Sequence, residues 1–239
     1  MPGRIVVVIP TYNEKENLPV LAEKIFGLNI HDLSLLIVDD NSPDGTAACA
    51  ENLARRFPIH ILQRGRKEGI GKAYIQAFQT LLSDPAPPDR IIQMDADMSH
   101  DPALIPAMLH AADTYDVIVG SRYIAGGTIE NWDFIRRCIS RIGNAYARTM
   151  LRLPYRDLTS GYRCFRREAL ARLNVKSFGS SGYCFMIETI FAAHKSGLRI
   201  YELPIVFTER TIGKSKFNLG IIMESVWRVT LLALKRRAS

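Results

Sequence analysis

The chain has 239 residues, 47% of them hydrophobic and 23% charged. Those proportions exclude a disordered chain, and the 16 Gly and 12 Pro exclude collagen-like and low-complexity classes. The length fits one compact domain with an appendage. The net charge of +7 conceals a split: residues 1–120 hold 10 Lys/Arg against 16 Asp/Glu, and residues 121–239 hold 21 against 8. The second half is therefore expected to face something anionic: nucleic acid, phosphates or a membrane surface.

Cys49, Cys138, Cys164 and Cys184 are too far apart for a C-x-x-C pair, so they are expected to be reduced and mostly buried rather than metal-binding. The opening residues run straight into Ile5–Ile9, an apolar run too short for a signal peptide. No stretch reaches 18 apolar residues, so no transmembrane helix is expected.

In chain order, Ile5–Pro10 reads as a strand buried on both faces, and Asn17 to Gly27 as a helix. Leu33–Val38 is a second strand, Thr46–Phe57 a helix and Ile59–Gln63 a third strand. Gly69–Leu82 is a helix, Arg90–Met94 a fourth strand, Pro102–Ala112 a helix and Asp116–Val119 a strand. This alternation predicts an open, mostly parallel α/β sheet. After Gly120 the pattern changes: a basic helix over Phe134–Leu151, strand-like pieces at Gly161–Arg166 and Arg199–Phe207, and a terminal helix from Leu219 to Arg237.

Ligands of open α/β sheets bind beyond the carboxyl ends of the strands. Three polar clusters follow strands directly: Thr11–Glu14, Asp39–Asp44 and Asp95–Asp97. A lone Asp there, such as Asp44 or Asp101, is commonly a helix cap. Acid pairs at two strand ends repel one another unless a hard divalent cation intervenes, and such a cation keeps open positions for a phosphate-bearing ligand. A dinucleotide fold requires a glycine-rich turn after the first strand, and Pro10-Thr11-Tyr12-Asn13-Glu14 has none. The Gly65–Lys72 segment lacks the spacing of a P-loop.

Ile5–Leu18, Asp39–Thr46, Asp95–His100, Gly120–Arg122, Asp157–Arg163 and Arg210–Lys216 fall in the order seen in family 2 inverting glycosyltransferases. More narrowly, they resemble the catalytic subunits of the polyprenol-phosphate (dolichol-phosphate) mannose synthases, over about residues 4–220. The resemblance implies an α/β GT-A fold, a Rossmann-like mostly parallel sheet with helices on both faces, over residues 1–218, and an amphipathic C-terminal helix over 219–239. It implies a donor site at Pro10, Tyr12, Glu14, Val38, Asp40, Asp95, Ala96 and Asp97, with Mg2+ or Mn2+ on Asp95 and Asp97. Some relatives use a glutamine two residues beyond the second aspartate as a further metal ligand; this chain has Ser99. Arg122, Arg210 and Lys216 match residues around the donor diphosphate. Arg122, Arg136 and Ser140 match an acceptor-phosphate site, the last two being one helical turn apart. Asp97, Arg122, Arg210 and Lys216 are the expected catalytic residues.

The implied reaction moves mannose from GDP-mannose to polyprenyl phosphate with inversion, at the cytoplasmic face of a membrane. The implied partners are the membrane surface and a separate small anchoring subunit, not nucleic acid. A sister enzyme using UDP-glucose is the nearest alternative. A nucleic-acid-binding module is the alternative from another class, opposed by the acidic sheet rim and by the lack of aromatics among the basic residues. Four positions carry paired readings: His100 as metal ligand or loop support, Asp157 as general base or arginine partner, Trp132 as lipid anchor or core, and the last helix as core or membrane-interfacial.

Overall fold

The computed structural model describes residues 3–179, 182, 184–209 and 219–238. Nine strands and eight α-helices are defined among them. Strand β1 (Ile5–Thr11) lies between β2 (Leu33–Asp39) and β4 (Arg90–Gln93), with β3 (Ile59–Gln63) beyond β2. These four are parallel and in the expected places. Beyond β4 lie β7 (Arg163–Arg166), β5 (Val117–Ser121) and β8 (Ile200–Pro204). The order β3-β2-β1-β4-β7-β5-β8 reverses direction at β1 and β4, and a crevice opens at such a switch point.

The sheet is sandwiched, and the two-residue period of the strands decides which side chain faces which layer. Val6, Val8, Leu36 and Val38 pack toward α3 (Ile70–Leu82), α6 (Arg167–Arg172) and α7 (Cys184–Lys195). On that side Tyr74, Phe78, Phe165 and Phe185 form a fully buried aromatic cluster. Ile5, Val7, Ile9, Leu35 and Ile37 face the opposite layer, α1 (Asn17–Phe26), α2 (Thr46–Ala54) and α4 (Ile105–Ala111).

Strand β7 is the exception to parallel pairing: it is antiparallel to both β4 and β5, with Arg163 opposite Gln93 and Val119. An antiparallel strand inserted between parallel ones begins where its neighbours end. The preceding loop, 157–161, is thereby delivered to the rim that carries Asp95 and Asp97.

Two further differences have local causes. The expected strand Arg199–Phe207 splits after Pro204; Ile205 is buried, and β9 (Val206–Thr208) leaves to pair in parallel with β6 (Thr128–Glu130). The expected helix Pro102–Ala112 begins as a 3-10 turn over Pro102–Leu104, because Pro106 has no N–H to continue an α-helical ladder from it. Helix α7 carries no periodic stripe, since Cys184 to Phe191 are all buried. A helix buried all round needs no amphipathic signature.

Helix α5 (Phe134–Leu151) spans its expected residues, capped by the Asp133 carboxylate, which accepts from the Arg136 N–H at 2.8 Å. Helix α8 (Leu219–Ala238) packs on α5 and α7, burying Val229 and Ala233. Tyr146 and Thr230 hydroxyls bond at 2.8 Å across the α5–α8 contact. One face of α8 is thus core, and the opposite side leaves Met223 and Trp227 69% and 63% exposed.

Gly127 marks a close approach at the rim: a Cβ there would lie 2.5 Å from the Ser121 carbonyl oxygen. Gly127→Ala is expected to cost about 2 kcal/mol and to lower the melting temperature by roughly 6 °C, read by differential scanning calorimetry.

Candidate active site

The loops after β1, β2 and β4 meet as expected, but much of their polarity holds the rim together. Asp39 is fully buried; it accepts from the Thr11 hydroxyl at 2.9 Å and the Ser42 hydroxyl at 2.6 Å. Asp44 accepts from the Thr46 N–H at 2.9 Å and the Lys15 N–H at 3.3 Å, tying the loops after β1 and β2 together. Glu14 accepts from the Asn17 side chain at 2.7 Å, at the start of α1. Asp101 caps the 3-10 turn through the Ala103 N–H, as a lone strand-end Asp should.

Two expected donor contacts are engaged differently. Asp40 is buried against Arg64, whose other nitrogens reach Gln76 at 2.9 Å and Glu68 at 2.8 Å. The Lys67 ammonium sits 3.7 Å from the Tyr12 ring centroid, over the face assigned to a base. Both cations come from the 64–69 segment after β3. A buried carboxylate and an open ring face each attract a cation, so this segment covers the two groups here. Pro10 lies at the half-buried end of β1, Val38 is fully buried in β2, and Ala96 is buried between the two aspartates.

A cavity of about 190 Å³ opens beside this rim. Asp95, Asp97, His100, Arg122, Arg136 and Ser140 all line it, together with Val226 and Val229 of α8. The expected metal, diphosphate and acceptor residues within the described chain therefore share one cavity. Arg210 and Lys216 lie outside the described residues.

Asp97 is buried, and its Oδ1 accepts from the Ser99 N–H at 3.2 Å and hydroxyl at 2.5 Å. Ser99 thus orients the aspartate. Among the described residues no group of three or more His, Cys, Asp or Glu forms a complete cage. Two carboxylates on one cavity fit a hard divalent cation that takes its remaining ligands from a phosphate-bearing substrate and water.

His100 supports the loop. It is buried, its Nδ1 accepts from the Asp95 N–H at 3.2 Å, and its ring stacks on Tyr162 at 4.9 Å. Burial pushes its pKa down to about 4, against the pull of Asp97, so the imidazole is neutral. Gly161 lies against both groups: a Cβ there would sit 3.4 Å from Asp95 Oδ1 and 3.6 Å from His100 Cε1.

Arg122 and Asp157 form a buried ion pair in the site. Nε donates to Asp157 Oδ2 at 2.7 Å and Nη2 to Oδ1 at 2.8 Å, a bidentate fork with both residues buried. Burial opposes ionisation of both groups, but each charge outweighs it for the other: the Asp157 carboxyl is held below its ordinary range and the arginine is held cationic. Asp157 also accepts from the Thr159 and Ser160 N–H groups. This is the arginine-partner reading of Asp157, with both carboxylate oxygens occupied.

The sequence motifs assign no role to three supporting residues, although Arg163 closes one of those motifs. Asn144 on α5 accepts from the Leu158 N–H at 2.8 Å and donates to Thr159 at 3.1 Å. Glu202 on β8 accepts from the Arg156 and Asp157 N–H groups at 2.8 and 2.9 Å. Arg163 donates to the Leu158 carbonyl at 3.0 Å; burial pushes its pKa down to about 9. The available signal was a polar Asn inside an amphipathic helix, which helix propensity disfavours.

Of the residues expected at the acceptor phosphate, Arg136 bonds Glu209 at 2.5 Å and stacks over Trp132 at 4.0 Å, and the Ser140 hydroxyl accepts from Tyr123 at 2.7 Å. Trp132 is a half-buried wall of the cavity, packed edge-on to Phe207.

A GT-A-type fold, with an acidic strand-end pair and a fixed arginine on one cavity, defines a glycosyltransferase. Residues 6–173 match the family model for glycosyl transferase family 2, and the chain belongs to that family. It is 39% identical to polyprenol monophosphomannose synthase of Mycolicibacterium smegmatis, over 98% of this chain and 88% of that one. It is 40% identical to undecaprenyl-phosphate mannosyltransferase of Micrococcus luteus, over 98% and 96% of the two chains. In fold it matches glucosyl-3-phosphoglycerate synthase from Mycobacterium tuberculosis in complex with Mn2+, UDP and glucosyl-3-phosphoglycerate. That match has a TM-score of 0.70 and 18% identity, over 97% of this chain and 80% of that one.

Replacing Asp157 by Asn leaves the Arg122 charge buried without its counter-ion. The expected loss is about 3 kcal/mol of stability at pH 7. Because the folded carboxyl titrates below its ordinary 3.8, the stabilisation is full above that value and disappears as pH falls through the folded pKa. Urea titrations should show the gap between wild type and Asp157→Asn narrowing only below about pH 3.8; a gap that closes near neutrality would contradict the pairing.

Proposed function

We propose that the chain transfers mannose from GDP-mannose to a polyprenyl (dolichyl) phosphate with inversion, releasing GDP. The observation that carries this reading is the two-sided cavity: Asp95 and Asp97 on one part of its lining, Arg122 and Arg136 on another. The names of the two curated relatives support mannose as the sugar and a polyprenyl phosphate as the acceptor.

A phosphate monoester is already anionic at pH 7, so the nucleophile needs no general base. Asp157 has both oxygens committed and is not available as one. What the acceptor does need is cationic charge, because it approaches a diphosphate. Arg122 is fixed in place by Asp157 before substrate arrives, a preorganised cation that requires no reorganisation during reaction. Arg136 exchanges Glu209 for the acceptor phosphate, with Ser140 as a further hydrogen-bonding partner. An acceptor oxygen attacks the anomeric carbon in line with the bond to the diphosphate oxygen. That bond breaks, the diphosphate takes the electron pair, and configuration inverts.

The residues that would hold Mg2+ or Mn2+ are Asp95 and Asp97, and the chemistry supplied there when one is bound is neutralisation of the diphosphate. Arg210 and Lys216, by their family positions, add to the same charge balance. Tyr12 and Asp40 take the nucleoside once the 64–69 segment moves away. Two sources support membrane-surface action: the lipid acceptor named in the relatives, and the exposed Met223, Trp227 and Leu234 of α8. Among the described residues no helix is long and apolar enough to cross a membrane. A small anchoring subunit is the competing occupant of that apolar face.

The test is transfer of radiolabel into solvent-extractable lipid, with polyprenyl phosphate, Mg2+, and either GDP-mannose or UDP-glucose as donor. Label from GDP-mannose alone is expected; label from UDP-glucose alone would replace the donor assignment. Asp97→Ala is expected to reduce turnover at least about 100-fold, the scale of one lost transition-state contact, and EDTA should abolish wild-type turnover. Undiminished activity in EDTA would remove the cation from the scheme. A Met223→Ser, Trp227→Ser double variant should co-float less with phosphatidylcholine vesicles at an unchanged melting temperature; equal flotation would assign those residues elsewhere.

A further inference from the structure

Helix α5 presents two different faces to two different cavities. Arg136, Ile139, Ser140 and Gly143 line the cavity described above. Arg141, Asn144, Ala145 and Arg148, again at spacings of three and four, line a second cavity of about 330 Å³. Arg156, Gly127 and the Tyr123–Ile124 segment complete it, and Arg122 touches both cavities.

The charge of this second cavity is unbalanced. Its lining contains four arginines and no carboxylate. Arg122 is neutralised by Asp157, whereas Arg141, Arg148 and Arg156 form no ion pair with any described carboxylate. Arg148 Nε is buried without a hydrogen-bond partner among the described residues. Guanidinium groups converging on a polar cleft repel one another, and an anion with several acceptor oxygens relieves the repulsion. Asn144 is fully used within the network, so recognition falls to the three arginines.

The same helix indicates the source of the anion. Phe134, Ile135 and Ile142 are 80%, 70% and 67% exposed, and Ile142 directly follows Arg141. A free phosphate would use the arginines and ignore the apolar stripe. A phospholipid engages both, headgroup on the guanidinium groups and chains beside the stripe.

We propose that Arg141, Arg148 and Arg156 form a second phosphate site, separate from the acceptor site, which takes the headgroup phosphate of an anionic phospholipid. It rests on the reading that the chain works at a membrane surface. The site is separate because neither Asp95 nor Asp97 lines it, and because the Arg122–Asp157–Asn144 network stands between it and the cavity that does contain them. Arg156 is also joined through Glu202 to Asp157, so an occupied site stiffens the loop that holds Arg122.

The test compares wild type with two triple variants, Arg141→Gln/Arg148→Gln/Arg156→Gln and Arg141→Lys/Arg148→Lys/Arg156→Lys, in vesicle flotation without donor or acceptor. Vesicles are phosphatidylcholine alone or mixed with phosphatidylglycerol. Both variants are expected to bind neutral vesicles as wild type does and to lose the gain from phosphatidylglycerol. The lysine variant should lose about tenfold even though its charge is intact, because lysine lacks the planar fork. A lysine variant that binds phosphatidylglycerol as wild type does would overturn the proposal in favour of diffuse charge. Displacement of wild type from mixed vesicles by millimolar inorganic phosphate, at constant ionic strength, would overturn the lipid assignment. Mannosyl transfer to a detergent-solubilised polyprenyl phosphate, run in parallel, should be equal in all three proteins. Absence of transfer in wild type would remove the functional reading and leave the lipid-binding result standing.

Discussion

Arg122 can carry a buried positive charge because Asp157 meets it with two oxygens in one plane, and the organisation of the cavity depends on that meeting. A buried ion pair adds little net stability, since desolvation consumes most of the Coulombic gain. What it provides is position. Thr159, Ser160, Asn144 and Glu202 each bond to the pair or to the loop that carries it, so the guanidinium is fixed by helix, strand and loop together. A cation held this way does not have to be gathered from solvent-mobile side chains when an anionic ligand enters the cavity.

The fold supplies that geometry through one irregularity. Six of the seven strands in the main sheet are parallel, and the antiparallel β7 brings loop 157–161 to the rim where β4 ends. Gly161 then lies against Asp95 and His100 without a side chain in between, and neutral His100 holds the backbone of Asp95. Helix α8 meets the same cavity through Val226 and Val229, while Met223 and Trp227 point outward. One helix thus links the cavity with the exposed apolar surface.

The first half of the fold was legible because its physics is local. Apolar β-branched runs, each followed by a polar cluster, can only be buried strands of a parallel sheet with their functional ends on one rim. Asp95, Asp97, Arg122, Arg136 and Ser140 were legible through family spacing, and they do share a cavity. The antiparallel sense of β7 was not, since four residues in a strand carry no record of direction. Helix α7 was hidden by being buried on every side, Glu188 and Thr189 included. Asn144 and Glu202 were hidden because each acts through a contact distant in sequence, and Arg163 because its bond to the Leu158 carbonyl depends on how the 157–161 loop folds back. The Arg64–Asp40 and Lys67–Tyr12 contacts were missed for a related reason: a basic stretch after a strand reads as solvated surface until the acidic rim opposite it is built.

The most direct measurement of the central claim is a crystal structure with GDP-mannose and Mn2+. The account predicts the diphosphate between the Asp95–Asp97 pair and Arg122, the cation on Asp97, and Lys67 displaced from the Tyr12 ring by the base. Nucleotide bound elsewhere, or a cavity in which Arg122 has abandoned Asp157 for the diphosphate, would contradict it.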